Sequence, residues 1–284
     1  MTVRQGRGRG VVWTVAITLA LTSLASGANV RRFPVARGDN APHKIITPHF
    51  KVEFSVPRTT GCTYADLCER AYKNFLKKFN VAPTEAVWKG KCRVLLFRGR
   101  REFKHFAVDV HKSRGAAEAG GYTRIQKTEP DIVLFLDKGN HTKLKQVLIH
   151  EMTHVFLQLF GDHTTHINTW LHEGFAQYFE FKVEPRRSRL ASSRTRIKEL
   201  VKTGAAKPLV EFWHDDFPAT DLDSYAQAWS LIDFMIKKGS AKRTGKFVLL
   251  IKKGEDQEAA LRKTFGCSLA RLERMWKRYV VKAY

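Results

Sequence analysis

Acid is what this sequence has little of. Its 284 residues hold 27 Asp plus Glu against 50 Lys plus Arg, a formal net charge of +23. Such an excess draws a protein to anionic surfaces and says nothing of fold. Cysteine is scarce too: four residues, Cys62, Cys68, Cys92 and Cys267, are too few for a disulfide-dense mini-scaffold. Nor do they have the two-to-four-residue spacing of a zinc knuckle. No internal repeat recurs. Long apolar runs are missing after residue 24, so no later segment reads as a membrane span. What remains is 43% hydrophobic and 11% aromatic, which excludes wholesale disorder.

The one apolar run, VVWTVAITLALTSL over residues 11–24, follows a start with three arginines and no acid and precedes Ala25-Ser26-Gly27-Ala28. It is shorter than the roughly 17–25 residues of a spanning helix. Basic start, short apolar stretch and small-residue exit are the parts of a secretory signal, so residues 1–28 are read as a signal peptide of the Sec type. There is no twin-arginine pair and no cysteine near the exit. The expected location is secreted or periplasmic, and the remainder keeps a charge of about +20, since residues 1–28 carry only three arginines. In an oxidising compartment the four cysteines could form two disulfides, with three pairings open; structural bridges or buried thiols are the reading preferred over a metal site.

Residues 29–48, with Pro34, Pro42, Pro48 and Gly38, read as a linker. Strand patterns follow at 49–56, 92–97 and 130–137, the last with a continuous apolar run over 132–136 and therefore expected to be covered on both faces. Helical spacing appears at 63–79 and 100–108, and the glycine-rich stretch 115–123 reads as a loop. From residue 143 the pattern is helical: 143–160, stopped by Gly161; 168–182; a basic stretch over 185–207; 223–239, with Asp223 as N-cap; then helices near 241–253, 255–265 and 268–282.

Chemistry concentrates in His150-Glu151-Met152-Thr153-His154. On a helix, positions i and i+4 share a face, so both imidazoles can grip one metal ion, with Glu151 at its border to take a proton. Chance would produce this pattern about 0.02 times in such a chain. A catalytic zinc needs a third protein ligand, and Glu173 lies in the next helical segment, Trp170 to Ala176. Demanding Glu at that offset lowers the chance expectation by another factor of about twenty. Asp162 competes as third ligand; His163 and His166 read as polar loop residues. Leu157 and Phe160 stand where a metzincin would have glycine and histidine.

His-Glu-x-x-His followed by eighteen residues and Glu resembles the gluzincin metallopeptidases. The surroundings VLIHEMTHVF and WLHEGFAQYFE are similar to the peptidase-MA-like branch, many of whose members are exported bacterial proteins of unassigned substrate. The likeness is strongest over 130–182. It implies one Zn²⁺ per chain held by His150, His154 and Glu173, with Glu151 as general base. It also implies an oxyanion donor from the helical half, for which Tyr225 is the candidate ahead of His214 and Tyr178. The implied fold is α+β: an N-terminal α/β part with a small mixed sheet, zincin active-site helices completing a catalytic region over 49–182, and a mainly helical C-terminal part over 183–284. The strand IVLFLD would border the cleft and pair with an extended substrate. Gln177 departs from the acid that relatives carry one turn after the ligand glutamate, and His172 from their Asn. The absence of a glycine-rich exopeptidase motif favours an endopeptidase.

The expected partner is a peptide or protein substrate. An anionic glycan or phospholipid surface is the second class, with the stretch 185–207 as its site, although a solvated helix face with a flexible lead-in is the favoured reading of that stretch; nucleic acid is disfavoured because aromatics are not interleaved there. The competing reading is a non-catalytic, zinc-containing, basic envelope-binding protein on the same scaffold.

Overall fold

The computed structural model describes residues 43–82, 87–88, 90–126, 129–137, 140–161, 167–183 and 187–284. The expected signal peptide, most of the linker, and Asp162, His163 and His166 lie outside them.

Three parallel strands form the middle of a five-stranded sheet: β2 (Phe50–Phe54), β3 (Cys92–Phe97) and β5 (Glu129–Phe135). Val52 faces Val94, which faces Ile132. Antiparallel edges close it, β1 (His43–Ile46) on β2 and β4 (Gly121–Gln126) on β5, giving the order β1-β2-β3-β5-β4. The period-2 alternation of each strand splits its side chains between two cores. Val52, Val94, Leu96 and Ile132 join the main core, whereas Leu95, Phe97, Val133 and Phe135 join a smaller one. Helix α1 (Arg58–Phe79) makes the crossover from β2 to β3 and packs on the main-core face. Helix α2 (Arg100–His105) and two short turns cover the other face, where Phe103 and Phe106 are fully buried.

The C-terminal part is helical: α3 (His141–Leu159), α4 (Thr169–Val183), α5 (Arg187–Thr203), α6 (Leu209–Phe212), α7 (Leu222–Phe234), α8 (Ala241–Lys252), α9 (Gln257–Phe265) and α10 (Leu269–Ala283). Helices α3 and α4 lack a polar face, and α4 is buried at every residue from Trp170 to Phe181, the mark of helices inside a core rather than on it. Trp170 stacks on Trp213 with centroids 5.3 Å apart, and Trp276 of α10 donates its Nε1–H to Ser230 of α7 at 3.0 Å. Asp233 of α7 accepts from Tyr279 and Tyr284 and so ties the chain end to the core. No helix among the described residues is long and apolar enough to cross a membrane.

The α+β architecture is the expected one. Four local readings need correction. Residues 43–46, read as linker, are strand β1; its side chains are largely exposed, so pairing leaves no hydrophobic period to read. The glycine-rich stretch 115–123 contains the start of β4, where Gly121 pairs with Leu134 and lies close under the Leu134 and Val147 side chains. Consequently IVLFLD is not an edge: β5 is paired on both sides, and β4 is the edge strand beside it among the described residues. The cap of α7 is Asp221, accepting from the Ser224 backbone at 3.0 Å, rather than Asp223. The four cysteines are free thiols. Cys62 and Cys68 share α1, where six residues rise about 9 Å, beyond the reach of about 7 Å for a disulfide.

Gly174 follows the candidate ligand Glu173 inside α4. A Cβ there would come within 2.7 Å of the Ala228 carbonyl oxygen of α7. In an open helix Gly→Ala stabilises, by about 0.5–1 kcal/mol. Here the sign reverses: Gly174→Ala should cost about 1–3 kcal/mol through overpacking, read as a lowered Tm in thermal unfolding. An unchanged or raised Tm would show that α4 and α7 are not in backbone contact.

Candidate metal centre

Helix α3 sends His150 and His154 from one face, with ring centroids 4.8 Å apart. Helix α4 brings Glu173 against both: its Oε2 lies 3.4 Å from His150 Nε2 and its Oε1 3.7 Å from His154 Nε2. All three side chains are buried, Glu173 to 1% exposure, and one donor atom from each lies within 4.8 Å of the others. His150 Nε2, His154 Nε2 and Glu173 Oε2 have no hydrogen-bond partner. Three buried, convergent and unpartnered lone-pair atoms are costly to maintain unless a cation joins them. Their spacings are long for hydrogen bonds, and a four-coordinate ion at about 2.0–2.1 Å from each ligand holds its donors about 3.4 Å apart. The donor set, two imidazoles and a carboxylate, suits zinc.

The charges around the histidines set their protonation. Burial disfavours a charged His150, yet the Glu173 and Glu180 carboxylates outweigh it and push the imidazole up to about 10. Burial lowers His154 to about 4, with Glu173 opposing and His150 adding to the fall. Burial also works against ionisation of Glu173, but His154, His150 and the Tyr225 hydroxyl together hold it below the usual carboxylate range. The pocket therefore selects one positive charge among these groups.

Glu151 lies beside them, 2% exposed. Its Oε2 accepts from the Thr123 hydroxyl of β4 at 2.8 Å, and its Oε1 has no partner. Burial raises it to about 7, with His150 and Thr123 pulling it back. A carboxylate poised there can take and return a proton near neutrality. Tyr225 reaches the site from α7: its hydroxyl interacts with Glu173 and feels Glu151, and burial with those carboxylates raises it well above the usual phenol range.

The sequence reading thus brought together His150, Glu151, His154, Glu173 and Tyr225. Other candidates fall elsewhere. Tyr178 turns toward Asp233 and Tyr279, with Lys182 over its ring at 5.6 Å. His214 is exposed just after α6. His172 is buried with its Nδ1 3.4 Å from His154 Nδ1, beside a ligand rather than as one.

Three contributors escaped the sequence reading. Glu180 stands two helical turns after Glu173, on the same face of α4, and its Oε2 lies 3.5 Å from His150 Nδ1. Its other oxygen pairs with Arg189 of α5, whose guanidinium also sits 5.6 Å over the Phe181 ring. The acid missing at Gln177 is therefore supplied one turn later. The seven-residue spacing was there to be read; the charge partner on α5 was not. Thr123 was hidden in the stretch read as a loop.

The Peptidase MA superfamily model matches residues 127–282, more than half of the chain, and the chain belongs to that superfamily. The match spans every residue of the centre except Thr123. A search among curated proteins finds no match. Superfamily membership makes this a peptidase-like scaffold, of a kind typically metal-dependent, with peptides as the implied substrates.

A carboxylate on the far nitrogen of a ligating histidine fixes its tautomer and ring. Glu180→Gln should accordingly weaken zinc affinity about 10- to 100-fold in competition with a chromophoric chelator. Unchanged affinity would remove Glu180 from the centre.

Proposed function

We propose that the protein is an exported zinc metallopeptidase of gluzincin type, acting as an endopeptidase. The observation that carries this reading is the convergence of His150 Nε2, His154 Nε2 and Glu173 Oε2, buried and unpartnered, with the Glu151 carboxylate at their side. His150, His154 and Glu173 would hold the ion. Bound there, zinc supplies Lewis acidity, polarising the scissile carbonyl and acidifying the attacking water.

The chain's own groups do the rest. Glu151 accepts the proton of the attacking water at its unengaged Oε1 while the Thr123 hydroxyl holds Oε2. The same carboxyl then returns the proton to the leaving amine. Glu180, fixed by Arg189, accepts the Nδ1 proton of His150 and leaves Nε2 free to ligate. Tyr225 stays protonated and can donate to the oxyanion of the tetrahedral stage. The substrate enters as an extended chain along β4, whose edge is unpaired among the described residues and whose Thr123 touches the base. Export rests on residues 1–28 of the sequence, with their basic start, apolar core and small-residue exit.

Glu151→Gln separates binding from chemistry. It keeps the side chain's shape and removes the proton acceptor. Zinc content should stay at the parental level while hydrolysis of an internally quenched peptide library falls about 10²- to 10⁴-fold. Turnover at the parental rate would overturn the mechanism. A parental protein that keeps its metal and cleaves nothing across the library would favour the non-catalytic binding scaffold.

A further inference from the structure

The sequence places the surplus charge on 185–207, and the structure pairs three cations of that stretch with acids. Arg189 pairs with Glu180, Arg196 with Asp223, and Lys207 with Asp215 and Asp221; Arg194 lies over the Tyr284 ring. A second basic face lies elsewhere, with no acid lining it. A pocket of about 130 Å³ opens where the end of α7, the start of α8, the end of α9 and the start of α10 meet. Its floor is apolar, with Phe234, Met235, Phe265 and Leu272. Its rim carries Lys238, Arg243 and Arg271, and no acidic residue lines it. No ion pair engages these three cations among the described residues; Lys238 only overlies the Tyr279 ring at 6.0 Å.

Two of the cations sit where helix electrostatics disfavour them. Arg243 and Arg271 each occupy the third position of a helix, beneath the capping serines Ser240 and Ser268, and neither first turn contains an acid. Helix starts favour negative charge, so stability does not account for this choice of residues. The same chemistry continues along α10. Its solvent face presents Arg271, Arg274, Arg278 and Lys282, and between them the exposed apolar side chains Met275 (40%) and Val281 (42%). Glu273, the one acid of this helix, points away, pairing with Lys277 and accepting from the Leu209 backbone.

We propose that this face docks the protein on an anionic phospholipid surface, with α10 lying along it and one headgroup phosphate entering the pocket among Lys238, Arg243 and Arg271. Cations interleaved with exposed apolar residues on one helix face match a headgroup layer above acyl chains. A sulfated glycan or a nucleic acid would leave Met275, Val281 and the apolar floor unused. A second copy of this face would repel it. The dock is separate from the candidate metal centre: Tyr225 and Met235 stand ten residues apart, about 15 Å along α7 and its continuation. The inference does not rest on the peptidase reading.

The test is vesicle co-sedimentation of the full chain. One vesicle contains equal parts of phosphatidylglycerol and phosphatidylcholine, the other phosphatidylcholine alone. The apolar stretch 11–24 is common to all variants, and the uncharged vesicle measures its contribution. Removing three charges from α10 (Arg271→Gln, Arg274→Gln, Arg278→Gln) should weaken binding to the anionic vesicle about 100-fold at physiological salt. Removing three from α5 (Arg194→Gln, Lys198→Gln, Lys202→Gln) should weaken it less than about 5-fold. All six positions lie on helix surfaces, and a circular-dichroism melt confirms folding. Equal losses in both variants would reduce the effect to bulk charge and overturn the proposal. So would equal binding to the two vesicles, or retention on a sulfated glycan with none on anionic vesicles.

Discussion

The structure depends on keeping ionisable groups inside an apolar layer. His150, Glu151, His154, Glu173 and Glu180 are each at most 5% exposed, between helices whose other residues are largely Leu, Ile, Val, Phe and Trp. Each charge taken out of water costs several kcal/mol unless it is paired. The pairing here is a chain: Arg189 to Glu180, Glu180 to His150, His150 and His154 to Glu173, and Tyr225 to Glu173. It is incomplete at three atoms that face one another, His150 Nε2, His154 Nε2 and Glu173 Oε2, where the proposed ion would sit.

The rest of the fold serves this arrangement. The sheet supplies Thr123 and, among the described residues, an edge strand β4 next to Glu151 on α3. Helix α7 lies against α4 closely enough that Gly174 has no room for a side chain, and this approach carries Tyr225 to the carboxylate of Glu173. The far end of α7 meets α8, α9 and α10 at the basic pocket, so one helix joins the candidate metal centre to the surface proposed to face the membrane.

Much of this was legible in the sequence, for physical reasons. The i, i+4 histidines and the later Glu follow from helix geometry, and a helix apolar all round announces its own burial. The strand at 130–137 showed its two-sided burial by its unbroken apolar run. What failed to show depends on tertiary pairing. β1 and β4 are held by backbone hydrogen bonds and carry mixed side chains, so β4, with two glycines before it, read as a loop and its edge was assigned to β5. Glu180 was in plain view, but its value depends on Arg189 arriving from another helix. Within 185–207, Arg196 and Lys207 looked available because their partners, Asp215, Asp221 and Asp223, come from a later segment.

The central claim is that three side chains from two helices hold one zinc ion. Plasma mass spectrometry on the purified chain, beside His150→Ala and Glu173→Ala, tests it most directly. The account predicts about one zinc per parental chain, lost in both variants, as a three-ligand site requires. No zinc in the parent after reconstitution, or zinc retained in Glu173→Ala, would contradict it.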